Sequence, residues 1–122
     1  MAADSTAAAQ EQLQAVRRNL AIGLFGRGQA LTDAQADQLL AQGAGHHVST
    51  MLTHTAVGTP AEVRAHLDAF TQVADADELI VAHQFPGVEG RLRSVELTAE
   101  AMVEGPPPGP PRRLGDALER AI

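Results

Sequence analysis

At 122 residues with 44% hydrophobic content, the chain has the size of one small domain, and with three Phe and no Trp or Tyr its core must be aliphatic. It holds no Cys and no Lys, all nine basic residues being Arg, which excludes disulfides, thiolate metal sites, Cys nucleophiles, Schiff-base lysines and lysine-dependent P-loops. A net charge of −6 argues against nucleic acid as a partner, no run approaches the ~18 apolar residues of a membrane span, and the opening MAADSTAAAQEQ lacks the pattern of a secretory signal, so a cytoplasmic protein with no membrane partner is expected.

Residues 1–5 are expected to be loose. From Thr6, apolar Ala9, Leu13, Val16 and Leu20 recur at helical spacing, and the helix should end in the loop Gly23-Leu24-Phe25-Gly26-Arg27-Gly28. Those glycines follow a helix and read in the reverse order of the dinucleotide fingerprint, so they do not mark a phosphate cradle. Thr32-Asp33-Ala34-Gln35 has the form of a capping box and predicts a short helix through Leu39 and Leu40, stopping at Gly43-Ala44-Gly45. The Thr- and Val-rich stretch 48–57 reads as a strand, although His54 breaks its apolar character.

Thr59-Pro60-Ala61-Glu62 is the clearest local signal. Thr59 can cap the amide at N3, Glu62 can reach back to the Thr59 amide, and Pro60 sits at N1, where a missing N–H costs nothing. The helix it starts carries Val63, Leu67, Phe70 and Ala74 on one face and breaks at Asp75-Ala76-Asp77. Glu78 to Ala82 is a compact apolar run of the kind found in parallel strands covered on both sides. After a loop from His83 to Gly87, Val88, Leu92, Val95, Ala99 and Met102 mark a further amphipathic helix. The Pro-rich stretch that follows predicts an extended linker, and Leu114 to Ile122 a short tail helix; together they make up 105–122.

Three segments in order carry a resemblance: Thr55-Ala-Val-Gly-Thr-Pro-Ala-Glu-Val-Arg-Ala-His-Leu67, Ala76-Asp-Glu-Leu-Ile-Val81, and Arg91-Leu-Arg-Ser-Val-Glu-Leu97. They resemble the C-terminal end of the luciferase-like, flavin-dependent monooxygenases, with Ala74-Asp75-Ala76-Asp77 where that family usually has Thr-Gly-Ala-Asp. The resemblance covers 55–100 most specifically and 10–54 loosely, and it does not include the tail. It implies an α/β fold over 6–104: a partial (β/α)8 barrel made of the last two β/α units, with the preceding helices and two parallel strands at 48–57 and 78–82. A complete barrel of this kind needs roughly 250 residues.

Sites in such barrels lie at the C-terminal ends of strands, which selects Gly58 and Thr59 after the first strand and His83 and Gln84 after the second. The resemblance implies a reduced flavin there, FMN or in some relatives a deazaflavin, with Gly58, Thr59 and Gln84 as candidate cofactor contacts and His83 as the candidate catalytic group. An imidazole at that place can donate to a flavin or substrate oxygen. The capping box already accounts for Thr59, and a turn accounts for Gly58. His46, His47 and His54 lack the spacing and the acidic partner of a metal site, so none is expected.

Two readings remain. In one, the chain is a fragment or split subunit of a flavin-dependent oxidoreductase, inactive alone and binding no flavin tightly. In the other, it is a non-catalytic α/β interaction module that self-associates. Both imply a homo-oligomer or a second chain that supplies the remaining barrel, because two strands leave edges unpaired.

Overall fold

The structure, a computed structural model, describes residues 1–103. Helix α1 (Thr6–Phe25) starts where the Ser5 side chain accepts the Ala8 amide, and it ends at Gly26, beyond which Arg27 and Gly28 both take positive φ. Helix α2 (Asp33–Leu39) starts at the Thr32–Gln35 capping box. It runs into a π-helical turn at Leu40–Ala44, in which Gln42 and Gly43 leave helical geometry and Gly43 reaches a φ of +108°. That φ is open to glycine and strained for other residues, so Gly43 kinks the chain and lets it resume as α3 (Gly45–Met51). Helix α4 (Pro60–Ala74) begins at the Thr59–Glu62 capping box, with Pro60 in its first turn, and stops at Asp75 in the left-handed region. Helix α5 (Val88–Val103) completes the described chain.

Packing divides these helices into two groups. Helix α1 lies against α2, the kink and α3, and α4 lies against α5. Arg18 on α1 grips both carboxylate oxygens of Asp37 on α2 at 2.9 Å, a bidentate tie that fixes the first group in register.

The two groups are joined through the first three residues. Met1, Ala2 and Ala3 are buried, and Ala2 makes an isolated parallel bridge to Gly58. The Gly58 amide donates to the Met1 carbonyl at 3.2 Å, the Ala3 amide donates to the Gly58 carbonyl at 3.0 Å, and the Met1 ammonium donates to the Ala56 carbonyl at 2.7 Å. On the opposite side the Ala2 amide donates to Ser94 Oγ on α5 at 2.9 Å. Ala2 packs with Ala56, Val63 and Leu97, and Met1 packs with Val16 and Phe85, so one short segment reaches both halves of the core.

Several expectations are corrected. Residues 1–5 are not loose: the first three are buried and hydrogen bonded, and Asp4 pairs with Arg93 at 2.7 Å. The expected partial (β/α)8 barrel is not present; the described residues are helical and contain no β-strand, hence no sheet. The stretch read as a strand over 48–57 begins inside α3. There, Thr50 Oγ1 donates back to the His46 carbonyl and Thr53 Oγ1 to the Thr50 carbonyl, satisfying the helical backbone locally. Only the last residues before Gly58 engage a neighbour side by side, and that neighbour is the N-terminal segment. The run 78–82 is not helical, but from Glu78 to Phe85 no backbone–backbone hydrogen bond forms among the described residues. A β-branched run becomes a strand only where another backbone lies beside it, and none lies there. The linker and tail helix expected over 105–122 lie outside the described residues.

Replacing Thr59 with Ala removes the cap oxygen that the Glu62 amide uses. The chemical-denaturation free energy of Thr59→Ala is expected to fall by about 1 kcal/mol. A free energy equal to that of the parent would mean that α4 does not depend on this start.

Candidate functional site

A cavity of about 240 Å³ lies between α4 and the irregular run before α5; Met1, His54, His66, Phe70, Leu79 and His83 are among the residues that line it. His66 and Phe70 come from the inward side of α4, one turn apart, and His54 comes from the turn after α3. The His54 ring lies 5.4 Å from that of Phe70, tilted against it. Three imidazoles thus line one cavity, yet among the described residues no group of three His, Cys, Asp or Glu converges to hold a metal ion.

His83 is the most constrained of the three. Its Nδ1 lies 2.8 Å from Ser94 Oγ, and Ser94 is fully buried on α5. Ser94 Oγ also accepts the Ala2 amide, and its hydroxyl can either donate to Nδ1 or accept from it according to the His83 tautomer. Burial lowers the His83 pKa from its usual value, and repulsion from the Met1 ammonium lowers it further. Burial likewise lowers the pKa of that ammonium. The two bases disfavour each other's charge.

Chemically, this pair is not a nucleophile and its base. Ser94 has no exposed surface, its oxygen is engaged by a backbone amide, and among the described residues no carboxylate bonds to His83 to complete a triad. What the arrangement offers is a neutral imidazole with one ring edge on a small cavity, capable of donating to or accepting from a bound oxygen.

The other candidates divide. Gln84 also lines the cavity. Gly58 and Thr59 serve the fold instead. Gly58 sits at φ +151° with the Glu62 side chain where a Cβ would go, and Thr59 exchanges hydrogen bonds with Glu62, its own amide donating to Glu62 Oε2 at 2.7 Å. The Thr59 amide bond, followed by the Thr6 hydroxyl, holds the Glu62 carboxyl below its ordinary pKa. The four residues therefore do not converge; His83 and Gln84 share a wall, while Gly58 and Thr59 form a helix start. Ser94 and Met1 were not singled out from the sequence. Ser94 could have been found as the small polar residue on the face of α5 that also holds Thr98 and Leu97.

No protein-family model, curated protein or solved structure matches the chain.

The buried bases make stability depend on pH. Each has a folded pKa below its unfolded one, so the folded state binds fewer protons, and stability is greatest above the unfolded values of 8.0 and 6.5 and declines as pH falls through the folded ones. Urea midpoints should therefore decrease from pH 8 towards about pH 5, a range in which exposed carboxylates stay ionised. The decrease should be smaller in His83→Gln. A midpoint that is flat across this range, or equal slopes in the two proteins, would show that His83 is not held neutral.

Proposed function

We propose that the chain serves a flavin-dependent monooxygenase of the luciferase-like kind, as a part that acts together with further protein and holds no flavin alone. The observation that carries this reading is the order and spacing of the three segments 55–67, 76–81 and 91–97, whose residue pattern resembles the C-terminal end of that family. A cytoplasmic setting belongs to the same proposal. Among the described residues, no helix is long and apolar enough to cross a membrane.

That the chain holds no flavin alone is part of the proposal, and two features support it: the cavity beside α4, at about 240 Å³, falls below the roughly 300–1,000 Å³ of ordinary ligand sites, and the polar atoms of Thr59 and Glu62 bond to each other. In an assembly, His83 and Gln84 are the side chains placed to contact a ligand, His83 as a neutral hydrogen-bonding group steadied by Ser94.

A second reading, a self-associating module without chemistry of its own, is favoured by one observation. Val88, Leu92 and Val95 on α5 are 66%, 60% and 45% exposed and line one hollow, an apolar surface of the kind that mediates association. In this form the module is helical, not α/β.

A hybrid enzyme separates the two. Residues 55–100 of this chain are placed at the matching positions of an intact luciferase-like monooxygenase. Retained FMN binding and FMN-dependent oxidation are expected, while titrating FMN into the isolated chain should leave flavin fluorescence unchanged. A hybrid that lacks the parent's circular dichroism, or one that has it but binds no FMN, would overturn the flavin reading. Saturable quenching by the isolated chain would overturn the claim that it holds no flavin alone.

A further inference from the structure

Helix α5 packs by its small and polar side. Ser94, Leu97 and Thr98 are buried, with the Thr98 hydroxyl bonded back to the Ser94 carbonyl. Its larger apolar residues face outward: Val88, Leu92, Val95 and Met102 are 66%, 60%, 45% and 42% exposed, and Ala99 between them is exposed as well. Their separations along the chain are four, three, four and three residues, which keeps them in one seam along a helix of about 24 Å. This is the spacing by which helices pair side by side in a left-handed coiled coil. It places Leu92 and Ala99 at a positions and Val88, Val95 and Met102 at d positions.

The charges beside the seam identify what covers it. Arg91 then occupies a g position, and Glu89 and Glu96 occupy e positions. In a parallel pair of identical helices, a g residue faces the e residue five places further on in the other copy. Arg91 thus meets the second copy's Glu96, twice by symmetry. In an antiparallel pair, g faces g and e faces e, so overlap of the whole seam sets Arg91 opposite the second copy's Thr98, with no carboxylate to meet, and glutamate opposite glutamate. Within one chain Arg91 makes no ion pair among the described residues, and Glu96 has only an exposed contact to Arg93 at 3.4 Å, so both are available.

We propose that the outward face of α5 is a homodimer seam, occupied by α5 of a second copy lying parallel to it. The seam covers about two heptads, fewer than the three to four that mark a coiled coil in sequence, but α5 is already fixed on α4 and does not have to fold in order to pair. His83 lines a shallow hollow with Val88, Arg91, Leu92 and Val95 at one edge of the seam, so pairing also covers the approach to that imidazole. The inference is independent of any flavin chemistry.

Sedimentation equilibrium of the full chain across the micromolar range tests it. A monomer–dimer equilibrium is expected. Leu92→Glu, at an exposed position, should keep the parent's circular dichroism and raise the dissociation constant at least tenfold. Arg91→Glu should weaken pairing, and Arg91→Glu combined with Glu96→Arg should restore it. Because the protein has no cysteine, Val88→Cys gives a clean readout of direction: the parallel seam brings the two thiols together, and mild oxidation should link them. A full chain that stays monomeric to high micromolar concentration overturns the proposal, and so does a dimer indifferent to Leu92→Glu. If the full chain is monomeric and dimerises only when 104–122 are removed, those residues and not a second copy cover the face. Absence of a Val88→Cys crosslink in a Leu92-dependent dimer rules out the parallel arrangement.

Discussion

The pairing of Met1–Ala3 with Ala56–Gly58 is the constraint on which the rest of the molecule depends. Helices α1 to α3 and helices α4 and α5 form separate packed groups, and few side chains bridge them apart from those gathered around these three residues. The segment is hydrogen bonded on two sides, to the backbone before α4 and to Ser94 on α5. Each such bond adds little net stability, but an amide buried without its partner costs roughly 1–3 kcal/mol, so the bonds stand or fall together. The surrounding core is mostly of small aliphatic residues, with Phe85 and Leu97 its larger buried members and Val48 and Ser94 the largest side chains that are fully buried, so backbone pairing carries a larger share of the specificity than interlocking side chains do.

The features of the site follow from the same contact. Met1 forms part of the cavity wall, its ammonium repels charge on His83, and the Ala2 amide donates to the Ser94 oxygen that also bonds His83. The N-terminal segment therefore adds to burial in disfavouring charge on the imidazole and shares its hydrogen-bond partner. Among the described residues, it also uses the only backbone hydrogen bonds that the stretch before α4 directs to a neighbouring segment. Among the described residues the run 78–82 receives none, and its Ile80 and Val81 side chains are exposed.

Features that arise within a few residues were legible in the sequence. The Thr32–Gln35 and Thr59–Glu62 capping boxes, the break at Asp75 and the helical period of α1, α4 and α5 are all set by local spacing, and the structure has each of them. Features that depend on distant partners were not. Val48 and Thr50 belong to residue types that favour strands, but with no second strand beside them the helix satisfies the same backbone groups at once. Met1-Ala2-Ala3 carries no pattern by which its burial could be read. In α5 the apolar period was correct, but the face it marks is not the face that packs. Of the candidate site, His83 and Gln84 do line a cavity, Gly58 and Thr59 are absorbed by a helix start, and Ser94 was hidden because its role comes from a residue 92 positions away.

Amide hydrogen exchange, resolved by residue, tests this organisation most directly. The amides of Ala2, Ala3 and Gly58 should be protected, because each is bonded across the centre of the molecule, while those from Leu79 to Ala82 should exchange at nearly free rates. Free exchange at Ala2, Ala3 and Gly58 together with strong protection from Leu79 to Ala82 would mean that 78–82 is a paired strand and that the N-terminal segment does not hold the two helical groups together.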